Sequence, residues 1–262
     1  MEANKYSEDL ALALVLADAA DLITTARYLA EDLVITTKPD NTPVTDADRA
    51  TETAIRKILS DKRANDGLVG EEFGDNAEGK NRYWVVDPID GTKNFMRGVP
   101  TWATLIALVE NGEVVVGVAS APALSRRWHA GKGLGAFVSF NGGAKRKIHV
   151  SKVSEIKDAS IAYSDFVGWN EKRPAFTSLV DSCWRSRGLG DFWSHVLVAE
   201  GAIDIAAEPS LALWDMAALD VIVREAGGAF GAITGEIGPH HRSGLSTNGL
   251  LHEKVVKLLN GK

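Results

Sequence analysis

The chain has 262 residues, enough for one large domain or two smaller ones sharing an interface. Its formal net charge is −6 and no lysine/arginine stripe stands out, which excludes the basic footprint that a nucleic-acid binder needs. Apolar residues make up 45% and charged residues 24%, the balance of a soluble globular protein; no apolar run approaches the ~18 residues of a membrane span, and the opening MEANKYSEDLALA is too polar for a signal peptide.

Apolar positions at Leu10, Leu14, Ala17 and Leu22 predict a first helix, capped by Ser7 and running to about Ala30. TTKPDNTPVTDADRA (36–50) reads as a loop with two prolines. A second helix follows, its face formed by Ala47, Ala50, Ala54, Ile55, Ile58 and Leu59. LVGEE (68–72) and YWVVD (83–87) read as strands ending in acid. ATLIALVENGEVVVGVASAP is a hairpin around Asn111-Gly112, because Asn-Gly supplies the positive φ angles of a tight turn. Residues 127–150 read as further strands with turns at 131–135 and 141–143. Beyond Ser151 the pattern alternates: ASIAYSDF a strand, 174–184 a helix, 195–200 part of another, AIDIAAE a strand, and 215–226 a helix stopped by Gly227-Gly228. The expected organisation is an N-terminal α+β part, 1–150, and a C-terminal α/β part, 151–262. No repeat or low-complexity segment interrupts it. The single cysteine, Cys183, reads as a half-buried helical thiol; it excludes an internal disulfide and fits a reducing cytoplasm.

Three acidic patches each follow an apolar run: Glu71-Glu72, Asp87 with Asp90 in DPIDGT, and Asp215 in LWDMAA. Strand ends facing a crevice are where α/β folds place chemistry. Carboxylates sharing one small volume cannot all stay ionised, so their pKa values rise or cations bind. Mg2+ suits an all-oxygen set. Pro88 fixes its own φ and biases Asp87 to an extended form, so the two aspartates can bracket a metal pair with the Ile89 carbonyl between them. Gly91 lets backbone approach closely, and a helix starting near Thr92 would aim the Gly91 and Thr92 N–H groups at an anion. Metals beside a phosphate cradle make a two-metal phosphate-ester site. Blander readings stand beside this one. Asp-Pro and Asp-Gly are common turn formers, Glu71-Glu72 can be a solvated loop, Asp215 can be an N-cap, and Asp48 can be the N3 half of a capping box with Thr45.

GEE, WVVDPIDGTKNF and LWDMAALDVIVREAGG, with PVTDADRA upstream and STNG before the last helix, resemble the inositol monophosphatase family of lithium-sensitive, Mg2+-dependent phosphatases. The motifs lie in the family's order and cover most of the chain. The resemblance implies an α/β fold layered as an αβαβα sandwich, often dimeric. It implies two to three Mg2+ ions per site. Glu71, Asp87 and the Ile89 carbonyl would hold the first; Asp87, Asp90 and Asp215 would hold the second. Asp48, with the Thr92 hydroxyl, resembles the pair that orients the attacking water near a third, weaker metal. Gly91 and Thr92 resemble the phosphate cradle. Glu72 matches the family too, but the ligand role belongs to Glu71. The implied reaction is in-line attack of metal-activated water on a phosphomonoester, with no covalent intermediate. A non-catalytic phosphate- or metal-binding regulator on the same scaffold would be expected to lack a ligand or the water-orienting pair, and here all are present.

The substrate must be set by residues around the leaving group. Glu208 lies seven residues before Asp215, where inositol monophosphatases place a glutamate against substrate hydroxyls. GTKNF and RGLGDFW, the latter with Asp191, resemble the family's histidinol-phosphate phosphatase branch. Paired carboxylates at Asp191 and Glu208 favour a cationic leaving group, and histidinol carries an α-ammonium and an imidazole. Trp169 and Trp193 could offer ring faces to either. Asp191 also reads as a cap of the following helix and both tryptophans as core; inositol monophosphate and other sugar or nucleotide phosphates are the alternative substrates. Seven tryptophans supply large apolar anchors for the homodimer that the resemblance implies.

Overall fold

The computed structural model describes residues 4–39 and 41–261; residues 1–3 of the polar opening, Asp40 of the proline-bearing loop and Lys262 lie outside them. Helix α1 (Ser7–Arg27) buries Leu12, Ala13, Leu16, Ala17 and Ala20. Its stripe is rotated from the expected one: Leu22 is 77% exposed, while the alanines let the helix lie close against the sheet. Ser7 is the first helical residue rather than the cap, and the helix stops three residues short of Ala30. The proline-bearing loop is itself a small antiparallel hairpin, β1 (Ile35–Thr37) and β2 (Pro43–Thr45). It feeds α2 (Asp46–Lys62), whose buried face is Ala47, Asp48, Thr51, Glu52, Ile55 and Leu59. Ala50 points outward, and three polar side chains with Asp48 at their head take the inner face.

The first large sheet comprises β3 (Gly67–Gly70), β4 (Gly74–Asp75), β5 (Arg82–Asp90), β6 (Ala103–Glu110), β7 (Glu113–Ala121), β8 (Arg126–Gly131), β9 (Gly135–Phe140) and β10 (Arg146–Lys147). Its order is β10-β9-β8-β7-β6-β5-β3-β4, antiparallel except where β3 runs parallel to β5. The β6–β7 turn has φ of 54° at Asn111 and 79° at Gly112, as the sequence predicts. Alternation along the strands builds two cores. Trp84, Val86, Ile106 and Leu108 face α1 and α2, whereas Val85, Leu105, Ala107 and Val109 face the opposite side.

A short helix α3 (Thr92–Met96) follows β5. The second sheet, order β12-β11-β13-β15-β14, is built from β11 (Ser160–Tyr163), β12 (Arg185–Gly188), β13 (Ile205–Glu208), β14 (Ala229–Gly231) and β15 (Gly244–Thr247). Helices α5 (Asp191–Ala199) and α6 (Leu213–Glu225) pack between the sheets; α4 (Arg173–Ser182) and α7 (His252–Leu259) cover the outer face of the second. The result is a layered αβαβα sandwich. We propose units 1–150 and 151–262, with α6 as the element that locks the second onto the first sheet. Among the described residues no helix is long and apolar enough to cross a membrane.

The rotated stripe of α1 has a measurable consequence. Leu16→Ala should cost about 2–5 kcal/mol in urea unfolding, whereas Leu22→Ala should stay within about 0.5 kcal/mol of wild type.

Candidate active site

In a regular strand, residues three apart point to opposite faces. Asp87 and Asp90 nevertheless converge, because β5 carries a bulge between them. Asp87 pairs with Leu105 and Asp90 with Ala103, so three steps on β5 match two on β6. The strand therefore does not end at Asp87, as the sequence implied, but bends there. The Ile89 N–H donates to Asp87 Oδ1 at 2.9 Å, and the Thr104 hydroxyl donates to the Pro88 carbonyl at 2.7 Å, pinning the bulge. The Ile89 side chain anchors it in a small cluster with Ala47, Phe95 and Trp102.

Asp215 arrives from the other side. It stands at N3 of α6, not at the N-cap, and accepts the Ala212 N–H at 2.7 Å. Oxygens of Asp87, Asp90 and Asp215 all lie within 4.8 Å of one another. Asp90 also accepts the Phe192 N–H, from the first turn of α5, at 2.7 Å. Glu71 follows β3, whose Gly70 is in register with Val86 of β5, so its side chain reaches Asp87. Lys38, from the β1–β2 hairpin, spans Glu71 at 2.7 Å and Glu72 at 2.5 Å. Sequence reading missed Lys38, since nothing local links residue 38 to residue 71.

Asp48 and Thr45 form the capping box: Asp48 Oδ2 accepts the Thr45 N–H at 2.8 Å and its hydroxyl at 2.5 Å. Asp48 Oδ1 is buried without a protein partner. Thr92 opens α3 and donates its hydroxyl to the Ile89 carbonyl at 3.0 Å. Gly91 precedes it at φ +84°, where a Cβ would also crowd the Thr101 carbonyl and the Asp191 carboxylate.

On the wall of the cleft built by the second half of the chain, Asp191 is the first residue of α5, with Gly190 as the N-cap position. Its Oδ2 accepts from Asn94 at 3.0 Å, and its N–H donates to Ser164 Oγ at 3.1 Å. Glu208 accepts the Ser164 N–H and hydroxyl at 2.6 and 2.8 Å, so it stands behind Ser164 and not on the cleft wall. Asp165 does line the wall, and sequence reading missed it. The two tryptophans expected there do not. Trp169 is stacked on Phe176 at 3.6 Å in the outer core, and Trp193 packs against the central core. The cleft, about 600 Å³, is lined by Glu71, Gly91, Thr92, Asp191 and Asp215 among others, and a neighbouring lobe carries Trp214, His240 and Arg242.

Burial is the main electrostatic cost. It pushes Asp87 and Asp90 well above the usual carboxylate range, helped by Glu71 for Asp87 and Asp191 for Asp90. Burial also lifts Asp48 and Asp215 to about 7, against the hydrogen bonds from Thr45 and Ala212. A crowded all-oxygen donor set with an orphaned carboxylate oxygen at Asp48 fits hard divalent cations.

The inositol monophosphatase family model matches residues 5–261. The chain belongs to the inositol monophosphatase family. It is 55% identical to the histidinol-phosphatase of Mycobacterium tuberculosis over 97% of this chain and 98% of that protein. The histidinol-phosphatase of Streptomyces coelicolor is 51% identical at the same coverage. Among solved structures, the inositol monophosphatase of Zymomonas mobilis superposes with a TM-score of 0.85 at 33% identity, covering 98% of this chain and all 100% of that one.

The raised pKa values give the metal-free protein a pH signature. Folded Asp48 and Asp215 hold their protons to about pH 7, whereas an ordinary aspartate releases its proton near 3.8. The folded state binds more protons in that window, so stability contributed there is lost as pH rises from about 4 to 7. Urea midpoints in EDTA should fall between pH 5 and pH 8, and saturating Mg2+ should flatten the slope; a midpoint that rises in EDTA contradicts the assignment.

Proposed function

We propose that this chain is a Mg2+-dependent phosphomonoester hydrolase that converts L-histidinol phosphate and water to L-histidinol and inorganic phosphate. The family, and relatives named histidinol-phosphatase at 55% and 51% identity, support the reaction. The observation that carries the substrate is Asp191, a carboxylate on the cleft wall tied through Asn94 to the turn that would cradle phosphate. Glu71, Asp87, the Ile89 carbonyl, Asp90 and Asp215 would hold the Mg2+ ions. When bound, these ions would neutralise the carboxylates, ease deprotonation of water and stabilise charge on the phosphoryl oxygens and departing alkoxide.

The chain's own groups do the rest. Gly91 and Thr92 receive the phosphate at the start of α3, where the first N–H groups have no partner within the helix. Thr92 spends its hydroxyl proton on Ile89, which leaves the oxygen to accept a hydrogen of the attacking water. Asp48, with one free oxygen, takes the proton that water releases on attack. Water oxygen bonds to phosphorus as the bond from phosphorus to the ester oxygen breaks; the departing alkoxide takes a proton from solvent to become the alcohol, and Asp48 returns to solvent the proton it accepted. Asp191, lifted by burial to about 6, is ionised above that pH and faces the ammonium or imidazolium of the leaving group. Glu208, lifted to about 8, is protonated at neutrality and acts by holding Ser164.

A homodimer and a cytoplasmic setting belong to the same proposal; the lone Cys183, which can form no internal disulfide, supports a reducing compartment.

EDTA should abolish turnover and Mg2+ restore it, and Asp90→Asn should cut it by orders of magnitude with the fold intact. The substrate is tested by kcat/KM on L-histidinol phosphate and inositol 1-phosphate side by side. Wild type should prefer the former. Asp191→Ala should lose about tenfold to a hundredfold on it, as expected for a charged hydrogen bond, and less on the uncharged alcohol. Equal losses, or preference for inositol phosphate, contradict the substrate; no turnover of any ester with Mg2+ bound favours a regulator.

A further inference from the structure

We propose that Glu52 is a positioning residue that holds the Glu71 turn in its cation-binding geometry before any cation arrives. This rests on Glu71 being a metal ligand, as proposed above. Glu52 is fully buried on α2, one helical turn after Asp48 and on the same face. Its carboxylate does not point into the cleft. It accepts the Glu72 N–H at 2.7 Å through Oε2, and the Phe73 N–H at 3.2 Å through Oε1. Oε1 also receives Arg56 Nε at 2.7 Å, and Arg56 in turn donates to the Gly74 carbonyl at 2.6 Å. Three donors thus converge on one carboxylate, and two are backbone N–H groups of the segment that carries Glu71.

The approach is close enough to favour glycine at residue 70, since any side chain there must push the Glu52 carboxylate or the turn aside. A Cβ there would sit 2.0 Å from Glu52 Oε1. Gly70 has no positive φ, so close approach, rather than backbone conformation, demands it. On the far side of the turn the Glu71 N–H donates to the Val86 carbonyl at 3.3 Å. The segment is therefore gripped between α2 and β5, while the Glu71 side chain reaches Asp87 and Lys38. That grip has work to do. Glu71 stands at the head of the turn between β3 and β4, and a turn not tied to α2 would be free to swing it away from Asp87. Glu52 opposes that swing. It adds a negative charge of its own, but Arg56 neutralises it. Loss of the grip should show as weaker cation binding, because the outward swing must be reversed on binding, and not as slower chemistry once cations saturate.

The test is calorimetric titration of metal-free full-length protein with Mg2+, with no substrate present. Glu52→Gln keeps the shape but has only one acceptor oxygen for three donors. Gly70→Ala displaces the same turn from the opposite side. Both should weaken Mg2+ binding by about tenfold to a hundredfold, the range for groups that orient metal ligands, while kcat at saturating Mg2+ returns toward wild type. Unchanged Mg2+ affinity in folded Glu52→Gln overturns the proposal, as does a fall in melting temperature alone. If Glu52→Gln does not fold, unchanged affinity in Gly70→Ala overturns it. Failure of wild type to bind Mg2+ would remove the cation reading itself, and the proposal with it.

Discussion

Everything in this structure is arranged around the mutual repulsion of carboxylates forced into one place. Asp87, Asp90 and Asp215 bring oxygens within 4.8 Å of one another, and Glu71 reaches Asp87. Left alone, such a cluster protonates or disperses. The protein resists dispersal with local devices. A β-bulge puts two aspartates of one strand on one side, and a helix N-terminus delivers a third with its oxygen tied to Ala212. A buried glutamate braces the turn that bears the fourth acid. None of these devices removes the charge, which is why a cation-binding reading is more economical than a purely structural one.

The layers divide the labour. The first sheet and its outer helices supply Asp48, Glu71, Asp87 and Asp90, and the second half contributes Asp215 and the wall that carries Asp191. One polar chain joins them: Glu208 holds Ser164, Ser164 receives Asp191, and Asp191 receives Asn94 beside the phosphate turn. A change on the second sheet can therefore reach α3 through three hydrogen bonds.

Much of this was legible in the sequence, and the failures have physical reasons. Asn111-Gly112 announced its hairpin because few residues tolerate those φ angles. DPIDGT marked the site, but the bulge that makes its aspartates converge leaves no trace in composition. The α1 stripe was misplaced because alanine, buried there in three positions, carries little hydrophobic signal beside the exposed Leu22. β12, RSRG, has no apolar alternation, as an edge strand can do without it. Glu52 carries no signal of its own in the sequence, and only the register of α2 against β3 reveals its burial. Trp169 was credited with a ligand because aromatic rings suit imidazole, yet Phe176 already occupies its face.

The central claim is that these carboxylates form a cation platform. Anomalous diffraction from crystals soaked in Mn2+ addresses it most directly. The account predicts anomalous peaks enclosed by Glu71, Asp87, Asp90 and Asp215, with Lys38 displaced from Glu71. Peaks confined to the surface, or an occupied Lys38–Glu71 pair and no density between the aspartates, would contradict it.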